Sequence, residues 1–211
     1  LDLRLLEMAF RMLTPVPQKN IGTLATDGGN LYFPSEWLIQ IFKSNAPYLN
    51  RVYLHTILHC LFSHLWIGQK RNRLLWGIAC DIAVEYTIDG LDKPSTKRPL
   101  SWIRQQFYEQ LQKREDGISA AVIYRMLLEK EEDELNKLHV EFYTDDHRFW
   151  PKEEQLSAKE AEQREQWNKV TRQTSLLQKR NGEEKEEGER LLAAGLKAEK
   201  SRRSYRDFLK K

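Results

Sequence analysis

The most apolar stretch of this 211-residue sequence, residues 53–67, carries three of the five histidines. Three histidines exclude a membrane span there, and no apolar run elsewhere approaches the roughly 20 residues that a span needs. The stretch is therefore predicted to be a buried helix.

His55 and His59 are four residues apart in this predicted helix. Such residues lie on one helix face, with Cβ atoms about 5–6 Å apart. Two imidazoles so placed can hold one metal ion at about 2.0–2.1 Å, which suits zinc. The spacing is equally compatible with two half-buried histidines that hydrogen-bond to neighbouring groups.

Asp81 is the favoured third ligand, ahead of His64. At 100° per residue, His64 points about 140° from His59 and about 180° from His55. No glycine stands between His59 and His64 to allow a turn, so His64 is predicted to pack or to support a ligand. Asp81 lies in the next predicted helix, which is strongly apolar, and an antiparallel helix pair would bring it to both histidines. A carboxylate buried there needs a cation or strong donors, so the alternative is an aspartate that pairs with an arginine or caps a neighbouring helix.

Glu85 follows Asp81 by one helical turn, on the same face. It could hold a ligand histidine through its second ring nitrogen, or it could be an ordinary surface glutamate. Cys60 and Cys80 each adjoin a proposed ligand, but adjacent helix positions point about 100° apart, so both are predicted as core residues. With only two cysteines, the chain is expected in a reducing compartment, the cytoplasm.

Charge divides the chain, because 26 of the first 128 residues are charged against 39 of the last 83. We predict a metal-binding core over residues 1–130 and a charged helical extension over residues 131–211. Apolar periodicity predicts a mainly helical fold that begins with a helix over residues 1–13. Two β-prone runs around the turn at residues 27–30 predict a hairpin. Residues 138–143 are compatible with a short strand or an irregular segment.

The two central helices carry the strings HTILH, residues 55–59, and WGIACD, residues 76–81. These resemble the His-Glu-x-x-His motif and an approximate Trp-Asn-Ile-Ala-x-Asp motif of a known family. That family is the putative metallopeptidase domain that precedes von Willebrand factor A-like domains in bacterial proteins. Further stretches resemble the family in the same order along nearly the whole chain, at residues 26–34, 117–124, 145–150 and 205–209.

The resemblance implies a zincin-like fold in which His55, His59 and Asp81 hold one zinc ion. It also implies a substrate strand along the hairpin edge, and as partners a von Willebrand A-like domain and an AAA+ ATPase. The Asp-x-Ser-x-Ser motif of the von Willebrand domain does not occur, so that domain is expected to be missing from this chain. Basic residues within 197–206 alternate with acidic ones, which favours an exposed helix over a nucleic-acid interface.

The chief departure from the family is Thr56, which stands where the family has the glutamate that serves as general base. A threonine hydroxyl is not basic near neutral pH, and loss of a positioned base costs about 10²–10⁴ in rate. The leading hypothesis is therefore a metallopeptidase-like pseudoenzyme that binds zinc and a peptide or protein. The alternatives are an active zinc hydrolase with an unconventional base, such as Glu85, and a metal-free helical adaptor in an ATPase-associated complex.

Overall fold

The computed structural model describes residues 6–68, 70–114, 118–153 and 155–180, with Leu192, Ala193 and Leu196 beyond them. Its helices are α1 (Ser35–Ser44), α2 (Ala46–Leu61), α3 (Arg73–Leu91), α4 (Trp102–Gln112), α5 (Ala120–Leu127), α6 (Glu132–Phe142) and α7 (Ala158–Arg180). Its strands are β1 (Thr14–Pro17), β2 (Ala25–Thr26) and β3 (Asn30–Phe33). The prediction of a mainly helical fold with a small β-hairpin is confirmed.

Helices α2 and α3 form the centre of the fold. Asn45 caps α2 by accepting a hydrogen bond from the Tyr48 amide, and Asn72 caps α3 by accepting one from the Leu75 amide. Nearly every side chain of α3 from Trp76 to Ile88 is buried, as expected for a helix that other elements surround on all sides. The middle of α3 is therefore enclosed on all sides, and α2 packs against it with its buried residues from Arg51 to Leu61, which suits the pair to carry functional groups.

The sheet has the order β1-β3-β2, with β3 antiparallel to β2 and parallel to β1. The predicted hairpin is β2–β3, and Asp27 shapes its turn by accepting hydrogen bonds from the Gly29 and Asn30 amides. Gly28 has a φ of +90°, and a Cβ there would lie 2.4 Å from the Trp66 ring. Only glycine fits this position without strain.

Two local predictions are wrong. The described part of residues 1–13 has 3-10 conformation at Leu6 and at Ala9–Arg11 in place of an α-helix, and strand β1 follows. Pro15 and Pro17 fix extended-compatible φ angles in β1, and edge strands tolerate proline. Residues 138–143 lie mostly in α6, because three acidic residues favour its N-terminus and Leu138 and Phe142 share its buried face.

The hydrophobic core continues across the predicted division at residue 130. Leu138 and Phe142 of α6 and Trp167 and Val170 of α7 belong to the same buried cluster as the side chains of α2 and α3. The two-part division stays a prediction, but the described C-terminal helices pack directly on the core. The composition of residues 181–188 predicts a solvated break, and these residues lie outside the part of the chain that the structure describes. None of the described helices combines the length and the apolar character needed to cross a membrane.

Candidate metal centre

Four side chains converge between α2, α3 and the segment that follows α6. His55 and His59 come from α2, Asp81 from α3 and Asp145 from the segment, and each offers a ligand atom within 4.8 Å of the others. We call these four residues the donor group. The structure thus brings together the three residues that the sequence predicts as ligands, and it adds Asp145. All four side chains are 0–3% exposed.

The spacing of the donor atoms fits a metal ion. The Nε2 atoms of His55 and His59 lie 2.7 Å apart, and Asp81 Oδ1 lies 3.3 and 3.2 Å from them. Asp145 Oδ1 lies 3.6 Å from both nitrogens. Ligands about 2.0 Å from a tetrahedral zinc ion would be about 3.3 Å apart. Two imidazole nitrogens at 2.7 Å also need a proton or a cation between them.

A second observation supports a metal at this position. Among the described residues, Asp145 Oδ1 has no hydrogen-bond partner although it is buried. His147 Nε2, also buried and without a hydrogen-bond partner there, lies 2.9 Å from this oxygen and 3.0 Å from Asp81 Oδ1. Buried polar atoms are rarely left unsatisfied in folded proteins, and a metal ion would satisfy both. The donors are imidazole nitrogen and carboxylate oxygen, which are common zinc ligands.

Glu85 lies behind His55, on the opposite side of the ring from the donor group. His55 Nδ1 donates to Glu85 Oε1 at 2.9 Å, which leaves Nε2 facing Asp81 and His59. Glu85 Oε2 accepts from Arg51 at 2.7 Å and from Arg104 at 2.6 Å. Both of its oxygens are therefore engaged, so the geometry favours the orienting role over that of a substitute base.

His64 supports His59 in a similar way. The Nδ1 atoms of the two rings are 3.0 Å apart. Burial holds the pKa of His64 well below its usual value, so this ring is neutral and accepts the hydrogen bond from His59. Helix α2 ends at Leu61, and Ser63 adopts a left-handed conformation with φ 61° that turns the chain back. The helical projection that pointed His64 away from His59 is wrong, because Ser63 makes this turn without a glycine.

Thr56 is fully buried beside the donor group. Its hydroxyl lies 3.0 Å from both the Val52 carbonyl oxygen and Asp145 Oδ2, and its one proton can be donated to either. Where the family pattern has a carboxylate on α2, this chain therefore has a hydroxyl that contacts a carboxylate from another segment.

The pKa values of the two histidines on α2 shift in opposite directions. Burial alone would lower the pKa of His55, but hydrogen bonds to Asp81 and Glu85 raise it to about 9. Burial lowers the pKa of His59 to about 4, and the attraction of Asp145 does not offset it. Burial raises the pKa of Asp81, but the charge of His147 outweighs it and holds the pKa well below its usual value. The carboxylates thus stay ionised, as metal ligands must be.

Asp145 is a donor that the sequence does not predict. It is 64 residues from Asp81, on a segment without regular periodicity. Its only signals are the run Asp145-Asp146-His147 and the match of residues 145–150 to the family pattern. Cys60 and Cys80, by contrast, are both buried and neither is in a disulfide, as predicted for core residues. Burial raises the pKa of the Cys60 thiol well above its usual value, which disfavours the thiolate that would bind a metal.

The family model described as "putative metallopeptidase domain" matches residues 5–203 of this chain. Because the match spans most of the sequence, the chain belongs to this family of metallopeptidase-like domains. Neither the curated proteins nor the solved structures include one with a significant match to it. The fold and the buried donor group are consistent with this membership.

Proposed function

We propose that this domain binds one zinc ion in the donor group and does not hydrolyse peptides, and that it acts by binding a peptide or protein segment. The observation that carries the proposal is the contact between Thr56 and Asp145. Thr56 stands at the position of the family's general base. Its buried hydroxyl lies 3.0 Å from Asp145 Oδ2, a carboxylate oxygen of the same chain, and can donate a hydrogen bond to it.

A zinc ion bound here would supply Lewis acidity and would lower the pKa of a bound water to about 7. Hydrolysis also needs a group that accepts the proton of that water. Thr56 cannot accept a proton near neutral pH. Glu85 is held by two arginines on the far side of His55. These two residues leave the domain with metal donors but without a free base on α2 or α3.

The sheet edge beside the site supports the same conclusion. The Asp146 amide donates to the Leu24 carbonyl oxygen at 2.8 Å, and Ala25 and Asp146 form a parallel bridge. The chain itself therefore lies along β2, where the family resemblance implies a substrate strand. At the opposite edge of the sheet, Pro15 and Pro17 of β1 have no N–H to offer a further strand.

A binding role is supported by α1. Five of its ten residues are large and apolar, and none of its side chains is buried by the described residues. Ile39 is 55% exposed and Phe42 is 67% exposed. Exposed apolar side chains on one short helix are a common feature of protein-binding surfaces. In this proposal the partner is a peptide or protein segment. The family resemblance suggests that this segment belongs to a von Willebrand A-like domain or to an AAA+ ATPase.

A second candidate function is a zinc hydrolase in which Asp145 is the base. One observation favours it: Asp145 Oδ1, which has no hydrogen-bond partner among the described residues, lies 3.6 Å from the Nε2 atoms of both helical histidines. In this alternative the carboxylate does not bind the metal but takes the proton that the family's glutamate would take. The two candidates differ in whether the unmodified chain cleaves peptides and whether Asp145→Asn removes that activity.

The test combines metal analysis with a peptidase assay on a mixed peptide library. The proposal expects about one zinc per chain, no cleavage by the wild type, and cleavage by a variant in which the base is restored. Because Asp145 contacts Thr56, the restoring variant is Thr56→Glu with Asp145→Asn, which avoids two adjacent carboxylates, and Asp145→Asn alone is its control. All proteins are assayed in saturating zinc, because Asp145→Asn also removes a member of the donor group. Cleavage by the wild type that Asp145→Asn removes would replace the proposal with the second candidate. A chain that takes up no metal would support the metal-free adaptor.

A further inference from the structure

Resting on the proposed zinc site, we propose that His147 is a fifth metal donor and that residues 143–150 form a clasp which the metal closes. The clasp is the segment after α6 that also carries Asp145. In this arrangement the metal joins the α2–α3 pair to the C-terminal half of the chain.

The position of the His147 ring is the first argument. Its Nε2 lies 3.0 Å from Asp81 Oδ1 and 2.9 Å from Asp145 Oδ1, yet neither contact has hydrogen-bond geometry among the described residues. The ring nitrogen is therefore close to both oxygens without its N–H axis pointing at either. A metal ion between the three atoms would accept all of them as ligands, because imidazole and carboxylate both bind zinc.

The ring is also held in place by groups that do not belong to the donor group. Trp150 stacks on it, with ring centroids 3.8 Å apart and an angle of 23° between the planes. Arg73 donates to the His147 carbonyl oxygen at 3.0 Å. Gly77 of α3 gives the ring room, because a Cβ at that position would lie 3.0 Å from His147 Nδ1. These contacts thus set the orientation of the His147 ring while the clasp is closed.

The clasp is attached to the rest of the fold at its sheet side as well. The Asp146 amide donates to the Leu24 carbonyl oxygen at 2.8 Å, and Arg148 donates to the Asn20 carbonyl oxygen at 2.7 Å. On its other side, the clasp reaches the helices through Asp145 and His147. Metal removal would leave that side with ion pairs of poor geometry, so the clasp should open more readily without metal.

The alternative is a protonated His147 that forms a metal-free ion pair with the two carboxylates. A metal-bound His147 and a protonated His147 predict different results for His147→Ala. Only the metal-bound histidine predicts that this variant has a lower metal affinity and a lower coordination number. We expect zinc to bind at least about tenfold more weakly to this variant of the full chain in a chelator competition, since even loss of a group behind a ligand costs 10–100-fold. In cobalt-substituted protein, visible absorption should strengthen as five-coordination gives way to four-coordination. His139→Ala, which changes a histidine outside the donor group, is the matched control.

A second variant separates the effect on the metal from an effect on folding. Gly77→Ala keeps every donor and favours the helix, but its methyl group must displace the His147 ring. We expect zinc affinity to fall several-fold while the circular dichroism spectrum stays unchanged. Hydrogen exchange supplies a further measurement, because zinc should slow exchange of residues 143–150 in the wild type and less so in His147→Ala.

The outcomes separate this inference from the proposed function. If the wild type binds one zinc and His147→Ala and Gly77→Ala bind it with unchanged affinity and an unchanged cobalt spectrum, the clasp proposal is wrong and the zinc site stands. If the wild type binds neither zinc nor cobalt, the zinc site itself is wrong. Weaker zinc binding with stronger cobalt absorption in His147→Ala, and neither change in His139→Ala, supports the clasp.

Discussion

The donor group combines two regions that hold their side chains in different ways. On the α2–α3 pair, His55 and Asp81 stand on regular buried helices, and His55 is backed by Glu85, Arg51 and Arg104. On the clasp, Asp145 and His147 stand on irregular backbone that one sheet edge, Arg73 and Trp150 hold in place. The helix pair is ordered by its own core, whereas the clasp depends on contacts made at its two sides.

This difference has an energetic consequence. Charged groups buried on the helix pair are paired with each other, so their loss should affect folding as well as metal binding. Asp145 and His147 of the clasp lie against the donor atoms of the helix pair, so their loss should affect metal binding most. The predictions below test this separation.

The largest effect on stability is expected for Glu85→Ala. Glu85 is the fully buried carboxylate that pairs with both Arg51 and Arg104, and breaking a buried pair costs about 3–5 kcal/mol. Urea unfolding of the metal-free protein measures it, with Glu132→Ala on the exposed face of α6 as control. A loss no larger than that of the control would mean that Asp89 and Glu141 are sufficient counter-charges for the two arginines.

Asp145→Asn, a change on the clasp, should affect metal binding strongly and folding only slightly. The amide oxygen can still accept the Thr56 hydroxyl, so the free energy of unfolding of the metal-free protein should change by about 1 kcal/mol. Zinc affinity should fall at least about tenfold, because a neutral amide replaces an ionised donor. The comparison fails if this variant unfolds as easily as Glu85→Ala while binding zinc normally.

The stability of the metal-free protein should depend on pH in two windows. His59 has a pKa of about 4, below the ordinary 6.5, so the unfolded chain binds more protons between these values and stability rises with pH there. His55 has a pKa raised to about 9, so its contribution is complete below pH 6.5 and is lost as pH rises through 9. Urea unfolding of chelator-treated protein from pH 4.5 to 10 should show a maximum between the windows. Constant stability above pH 7 would contradict the assignment for His55.

The smallest effect is expected for His64→Ala. The variant removes the acceptor for His59 Nδ1, while His59 itself stays on α2. Loss of such a supporting contact weakens metal binding by about tenfold, less than loss of a ligand. Chelator competition beside Glu85→Gln, which alters the support of His55, compares the two supports directly. Unchanged affinity in His64→Ala would show that packing alone orients His59.

The same two regions show what the sequence could predict. The meeting of His55, His59 and Asp81 follows from the 3.6-residue period of one helix and from an antiparallel neighbour, which are local rules. The approach of Asp145 depends on how α6 ends and on a single bridge to Ala25, so no local pattern specifies it. His64 illustrates a third case, because the left-handed conformation of Ser63 overrides the helical projection.

Strand β1 and helix α6 show the same limit at the level of the fold. The Thr-Pro-Val-Pro run of β1 has extended backbone because it pairs with β3, 16 residues further along the chain. Helix α6 buries two apolar residues, Leu138 and Phe142, and these matter because α3 and α4 lie beside them. In both cases tertiary contacts decide what local propensity leaves open.

Metal content is the measurement that tests the central claim most directly. The purified chain and a His55→Ala/His59→Ala variant would be incubated with zinc, desalted and analysed for bound metal. We predict about one zinc per wild-type chain and none above background in the variant, with both proteins folded by circular dichroism. Equal metal content in the two proteins, or no metal in either, would contradict the zinc site and leave the donor group as a buried network of ion pairs.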